Sequence, residues 1–203
     1  MSYRTGSSPG APAQALMGQR GLYPSVTEIL EAVGLAPDLS MVKPDVLAWA
    51  SARGTALHRA IELHTKGTLD VDSLHPEIVG ALKGYLDFVH DSGHEAVASE
   101  LELIHPTWGF MGHPDRVGTL AKLEDLVLID WKMTASFSTN YVRHQLAGYR
   151  LLWNANNPDR PVRKCFGLHL KKDGRYTLHD VSDPEAEQAF LAAVVVWKAQ
   201  RRK

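Results

Sequence analysis

The chain has 203 residues, 44% of them hydrophobic and 22% charged, with a formal net charge of −1. That balance fits one soluble globular domain and gives no global basic field of the kind a nucleic-acid coat protein carries, although a neutral protein can still hold a locally positive cleft. The single cysteine, Cys165, excludes an internal disulfide, a zinc knuckle and a four-thiolate iron–sulfur cluster, and no apolar run approaches the ~18 residues of a membrane span, so neither a span nor a secretory leader is expected.

Residues 1–20 carry Ser, Gly, Pro, Ala and Gln with no apolar period and are expected to form a disordered arm ahead of a single domain over residues 21–203. Only Arg4 and Arg20 are basic there, a poor match to an organelle transit peptide, and a cytoplasmic location is expected. Ser25, with Glu28 three residues on, is a capping box that opens a helix stopping near Gly34 and Pro37. A second helix is predicted from about Pro44 to His64, with Gly54 inside it or at a break. A third covers Pro76 to His90, ahead of Ser92 and Gly93. The period then changes. Val97 to Ile104 reads as a strand with Glu100 and Glu102 on one face and Leu101 and Leu103 on the other. Gly109–Ala121 and Leu126–Met133 read as two further strands, and the three together as an antiparallel meander.

Helical spacing returns over Thr139–Ala155, where Tyr141, Gln145 and Tyr149 fall four apart on one face. Val162–Lys171 and Arg175–Val181 form a hairpin around Asp173 and Gly174. A last helix runs from Asp183 to about Lys203, with Ser182 or Asp183 as cap and Pro184 in its first turn. Cys165, in the first strand of that hairpin, is read as a small core residue. Late basic clusters (Arg160, Arg163 and Lys164; Lys171, Lys172 and Arg175; Arg201, Arg202 and Lys203) are candidates for salt-dependent phosphate contacts.

Four features carry chemistry. Asp130 and Lys132 interrupt an apolar run, and in a strand they project together while Ile129 and Trp131 point the other way. Buried charge of that kind is costly unless it is paired or holds a metal. Asp115 follows Pro114 on the preceding strand. His58 lies in the second helix, and Gln145 with Tyr149 share a helical face. A carboxylate and an ammonium on one face, with a second carboxylate arriving from a neighbouring strand, suit a divalent cation and a reacting water. The nine other histidines have no ligand spacing and most are expected to be solvated, with His113 close enough to Asp115 to line the cleft.

In this order the parts resemble the PD-(D/E)xK nuclease superfamily, and within it the RecB-type exonuclease group. The likeness covers about Tyr23 to Trp153. It rests on the Ser-Val-Thr-x-Ile-Leu opening, Gly-Thr-x-x-His ending at His58, Gly-x-x-Asp at Gly112–Asp115, Asp-x-Lys at Asp130–Lys132 and Gln-x-x-x-Tyr at Gln145–Tyr149. The resemblance implies an α/β fold with a restriction-endonuclease-like core, a mixed central β-sheet flanked by helices on both sides. It implies that His58, Asp115 and Asp130, with the main-chain carbonyl of Trp131, hold Mg²⁺ or Mn²⁺, and that Lys132 orients or activates the attacking water as base or as charged clamp. Glu100, with Glu102 as runner-up, is the candidate first-strand carboxylate. Gln145, Tyr149, Tyr141 and Arg116 are candidate substrate contacts. The implied activity is metal-dependent hydrolysis of DNA at single-stranded or duplex ends, in a phage or recombination and repair setting, with a recombination or single-strand-binding protein as possible partner. A nuclease-fold protein that binds DNA or a partner without cutting it, and a structure- or sequence-specific endonuclease on the same core, are the competing readings.

Overall fold

The computed structural model describes residues 22–201; the arm expected over residues 1–20, and residues 202–203 to which the last helix is expected to run, lie outside them. Helix starts follow the caps. The Ser25 hydroxyl accepts from the Glu28 amide at 3.1 Å while the Glu28 carboxylate accepts from the Ser25 amide at 2.6 Å, launching α1 (Val26–Ala32). Helix α2 (Pro44–Thr65) runs through Gly54 without a break. Helix α3 (Pro76–Ser92) ends on Gly93, whose φ of 61° supplies the left-handed C-cap that a side chain would resist. Helix α4 spans Thr139–Asn156, and α5 (Pro184–Arg201) opens where the Asp183 carboxylate accepts from the Glu185 amide at 2.8 Å.

The strands are β1 (Glu95–Ser99), β2 (Leu103–Ile104), β3 (Met111–Gly112), β4 (Arg116–Leu120), β5 (Leu123–Lys132), β6 (Val162–Leu170) and β7 (Tyr176–Asp180). Five form one sheet in the order β1-β4-β5-β6-β7, and β2 and β3 pair separately. Neighbours in the large sheet are antiparallel except β5 and β6, which are parallel because α4 crosses between them. The sheet is therefore mixed.

Two predicted strands break. The run expected from Val97 to Ile104 stops at Ser99, because Glu100 takes a positive φ of 48°. Glu100 and Glu102 consequently do not share a strand face. The run expected from Gly109 to Ala121 divides into β3 and β4 around His113, Pro114 and Asp115.

Strand alternation sorts the core into two layers. Leu128 of β5 and Cys165 of β6 pack among α1, α4 and α5 with Val26, Leu146 and Phe190. Val127, Ile129 and Trp131 of β5, with Phe166 and Leu168 of β6, meet Leu57, Ile61, Leu82 and Phe88 of α2 and α3 on the other face. Both faces of the central strands are covered, which explains why they read as near-continuous apolar runs. Cys165 is buried, as its flanks implied. The expectation for the histidines fails in four cases. His94, His105, His144 and His169 are buried, each bonded to backbone: His94 to the Thr119 carbonyl at 2.9 Å, His144 to Asn140 at 2.7 Å, His169 to Thr134 at 2.8 Å, and the His105 Nδ1 accepting from Thr107 and Trp108. No described helix is long and apolar enough to cross a membrane.

Candidate metal centre

The chemistry gathers where β5 ends and β4 begins. The two strands are antiparallel, with Arg116 opposite Ile129, so Asp115 arrives beside the last residues of β5. Its Oδ2 accepts the Trp131 amide at 3.1 Å, which fixes the carboxylate to the backbone of the neighbouring strand. His58 reaches in from α2, its imidazole 5.6 Å centroid to centroid from the Trp131 ring. Its Nδ1 lies 3.5 Å from Asp115 Oδ1 and 3.3 Å from Glu100 Oε1. Glu100 is delivered by the left-handed turn after β1, where its amide donates to the Asp115 carbonyl at 3.2 Å. A glutamate at positive φ costs roughly 1–3 kcal/mol, a strain that clusters at functional sites.

Among the described residues, His58, Glu100 and Asp115 offer ligand atoms that all lie within 4.8 Å of one another. One imidazole nitrogen and two carboxylates are a donor set that a hard or borderline divalent cation takes. Asp130 sits beside this group rather than in it. Its side chain is 1% exposed, and both oxygens face the Lys132 ammonium, at 2.7 and 2.9 Å. Asp130 and Lys132 thus project together, as their spacing required. Glu102 has separated from Glu100 and meets His113 Nε2 at 3.1 Å.

Electrostatics follow from this crowding. Burial, then the Asp130 carboxylate, pushes the Asp115 carboxyl up to about 7 against the opposing pull of His58 and Lys132. For His58, burial disfavours the imidazolium, but Asp115, the Glu100 hydrogen bond and Asp130 outweigh it and hold the pKa above its ordinary value. Burial likewise works against the Lys132 ammonium, yet Asp130 and Asp115 prevail and raise its pKa, so the side chain is a cation.

Gln145 and Tyr149 face the same cleft from α4. The Gln145 amide donates to the Tyr149 hydroxyl at 3.3 Å, and its Oε1 is buried with no hydrogen-bond partner among the described residues. Tyr149 is 8% exposed, with its phenol held neutral by burial and the two aspartates, so it forms a wall and offers no open ring face for stacking. Tyr141 is half-buried further along the same face. Arg116 is not brought to the cleft. Its side chain belongs to the opposite sheet face, where the guanidinium lies 5.4 Å from the Trp131 ring and donates to the Thr65 hydroxyl at 3.1 Å. A residue adjacent to Asp115 on a strand must point away from it, and alternation alone could have said so.

The late basic clusters also divide. Arg163 and Lys164 sit at the start of β6, where they pair with Asp125 and Asp180. Lys164 is opposite Val127 while His169 is opposite Lys132, so the cluster stands roughly 17 Å back from the centre at about 3.3 Å per residue. Lys171 and Lys172, past the end of β6, border a groove that opens beside Lys132.

No family model matches the sequence, and no curated protein matches it. Solved structures do. A candidate exonuclease from Eubacterium rectale aligns with 96% of this chain and 85% of its own at 13% identity, with a TM-score of 0.50. An alkaline exonuclease from Laribacter hongkongensis aligns with 92% of this chain and 91% of its own at 13% identity, with a TM-score of 0.46. At such identity the first likeness speaks to the fold alone. The fold is an α/β mixed sheet of five strands between helical layers, with neighbours among nuclease-fold proteins.

Proposed function

We propose that this protein is a divalent-metal-dependent deoxyribonuclease of the RecB-type PD-(D/E)xK kind, an exonuclease or end-processing enzyme acting on DNA ends in the cytoplasm. The observation that carries the reading is the meeting of ligand atoms from His58, Glu100 and Asp115 within 4.8 Å, with the Asp130–Lys132 pair alongside. In this reading His58, Glu100 and Asp115 hold Mg²⁺ or Mn²⁺, with Asp130 and the Trp131 carbonyl as further oxygen donors. The ion supplies positive charge to the non-bridging phosphate oxygens and a lowered pKa for water, and the imidazole inclines the site toward Mn²⁺.

The chain's own groups do the rest. Lys132, kept charged by its carboxylate neighbours, orients the water and stabilises charge on the pentacovalent phosphate. Asp115 and Asp130 hold that ammonium in place before substrate arrives. Tyr149 and Gln145 close the wall against which the strand rests. No base-reading element is required, since exonucleolytic trimming needs only the backbone.

The test is digestion of end-labelled linear DNA and of covalently closed circles with Mg²⁺, Mn²⁺ or chelator. Linear DNA should shorten with either metal, circles should survive, and chelator should stop the reaction. Lys132→Ala should lower the rate by about 100–1000-fold, the usual loss for one charge-stabilising group. A Lys132→Ala protein as fast as wild type sinks the assignment. No product under any metal condition favours a binding protein, and discrete fragments from circles favour an endonuclease.

A further inference from the structure

Beside the metal centre, a groove of about 960 Å³ runs between the first half of α2 and the loop that follows β5, lined by Trp49, Arg53, Lys132, Phe137, Tyr141 and Lys172 among others. Lys132 belongs to both the groove and the centre, so one opens onto the other. We propose that this groove is a track for one single strand of nucleic acid, with the Trp49 indole as its base-stacking platform. The proposal rests on the nuclease reading for the strand's destination but not for its binding.

Three observations carry it. Trp49 is 47% exposed, an uncommon position for the largest apolar side chain. Its ring is attended by two cations, the Arg53 guanidinium 4.2 Å and the Lys172 ammonium 5.1 Å from the centroid. Both cations stand over the indole ring, and an aromatic ring paired with cations is what single-strand binders use, the ring taking a base and the displaced cation a phosphate. Finally, the lining is positive. Arg53, Lys132, Lys171 and Lys172 share the lining with Glu31, while two carboxylates outside it hold three of these cations: Asp130 lies 2.7 Å from Lys132, and Glu77 lies 2.7 Å from Lys172 and 3.7 Å from Arg53. A phosphate must compete with Glu77 for those two cations, and a base arriving on the indole displaces one of them toward its own phosphate. The nine-residue separation of Trp49 and His58 spans about 14 Å of helix, a few nucleotides from the centre. A duplex hides its base faces in the stack, so the ligand is an unpaired strand.

Binding is measured without chemistry, by fluorescence anisotropy of labelled oligothymidylate, oligouridylate and a blunt duplex in chelator at low salt. Wild type should bind a single strand more tightly than the duplex. Trp49→Ala should weaken that binding by about tenfold or more, and Trp49→Phe, which keeps a stacking face, should restore most of it. Tight binding of either oligonucleotide that Trp49→Ala weakens supports the track, and the tighter one names the sugar it takes. Should Trp49→Ala melt early, Lys171→Ala and Lys172→Ala carry the same test through a shallower salt dependence. Single-strand affinity unchanged in Trp49→Ala, or absent in wild type, overturns the proposal. So does a wild-type multimer that Trp49→Ala splits, which would assign the face, with exposed Met41 and Val46, to a second copy of the chain. Because no metal is present, an inactive protein that passes this test loses the nuclease reading and keeps the track, and an active one that fails it does the reverse.

Discussion

Burial and the neighbouring Asp130 push the Asp115 carboxyl up to about 7, far above its unfolded value near 3.9. A raised carboxyl favours folding in its protonated form. The contribution is fully present below about pH 4 and is lost as pH rises through about 7, where a buried carboxylate must stand beside that of Asp130. Asp115→Asn removes the titration and keeps an acceptor for the Trp131 amide. In chelator, its melting temperature relative to wild type should therefore climb between about pH 5 and 8; a flat difference counts against the assignment. Added Mn²⁺ at the upper pH should raise the wild-type melting temperature and leave the variant nearly unmoved. At this scale the sequence singled out Asp130 and Lys132, because charges inside an apolar run are conspicuous, while His58 and Asp115 were joined to them by the resemblance of the motif order. It did not disclose that Glu100 joins His58 while Glu102 leaves for His113, since that depends on one left-handed backbone angle no side chain announces. Nor could it find the four buried histidines. His94 and His169 meet carbonyls 25 and 35 residues away, and no local period encodes such partners.

Elements with caps were legible almost to the residue: α1 from its capping box, α3 from its terminal glycine, α5 from Asp183 and Pro184. Short strands were not, because two-residue β2 and β3 carry no measurable alternation. Two glycines in the motifs behave differently once their neighbours are known. A Cβ on Gly112 would stand 2.7 Å from the Tyr149 ring and 2.9 Å from Leu152, so β3 packs flush against α4 and ties one motif to another. Gly112→Ala should destabilise by about 1–3 kcal/mol, the ordinary cost of overpacking, read from denaturant melts. Gly54 has nothing within 4 Å of the corresponding position and sits inside a continuous helix. Gly54→Ala should therefore stabilise by about 0.5–1 kcal/mol, and a loss of stability would mean the helix does break there.

For the molecule as a whole, charge follows strand direction. Cations at the start of β6 pair with Asp125 and Asp180 far from the groove, whereas Lys171 and Lys172 past its end border the groove, Lys172 with Glu77 beside it. Arg163→Ala and Lys164→Ala should leave DNA affinity and its salt slope unchanged, while Lys171→Ala and Lys172→Ala should flatten the slope by about one each in competition assays at varied ionic strength. Equal effects from both pairs would show that binding spreads over the whole surface. The mixed sheet was an expectation of the resemblance; which two strands run parallel follows from α4, which crosses between β5 and β6. The order of the sheet carries one more consequence. Strand β1 lies at its margin and would present a free row of amides and carbonyls to any passing chain. Its ladder slips between Ala96 and Ala98, and the chain then swerves off at Glu100. The irregularity that brings Glu100 to His58 also spoils the template for intermolecular strand addition, and straightening it would invite aggregation.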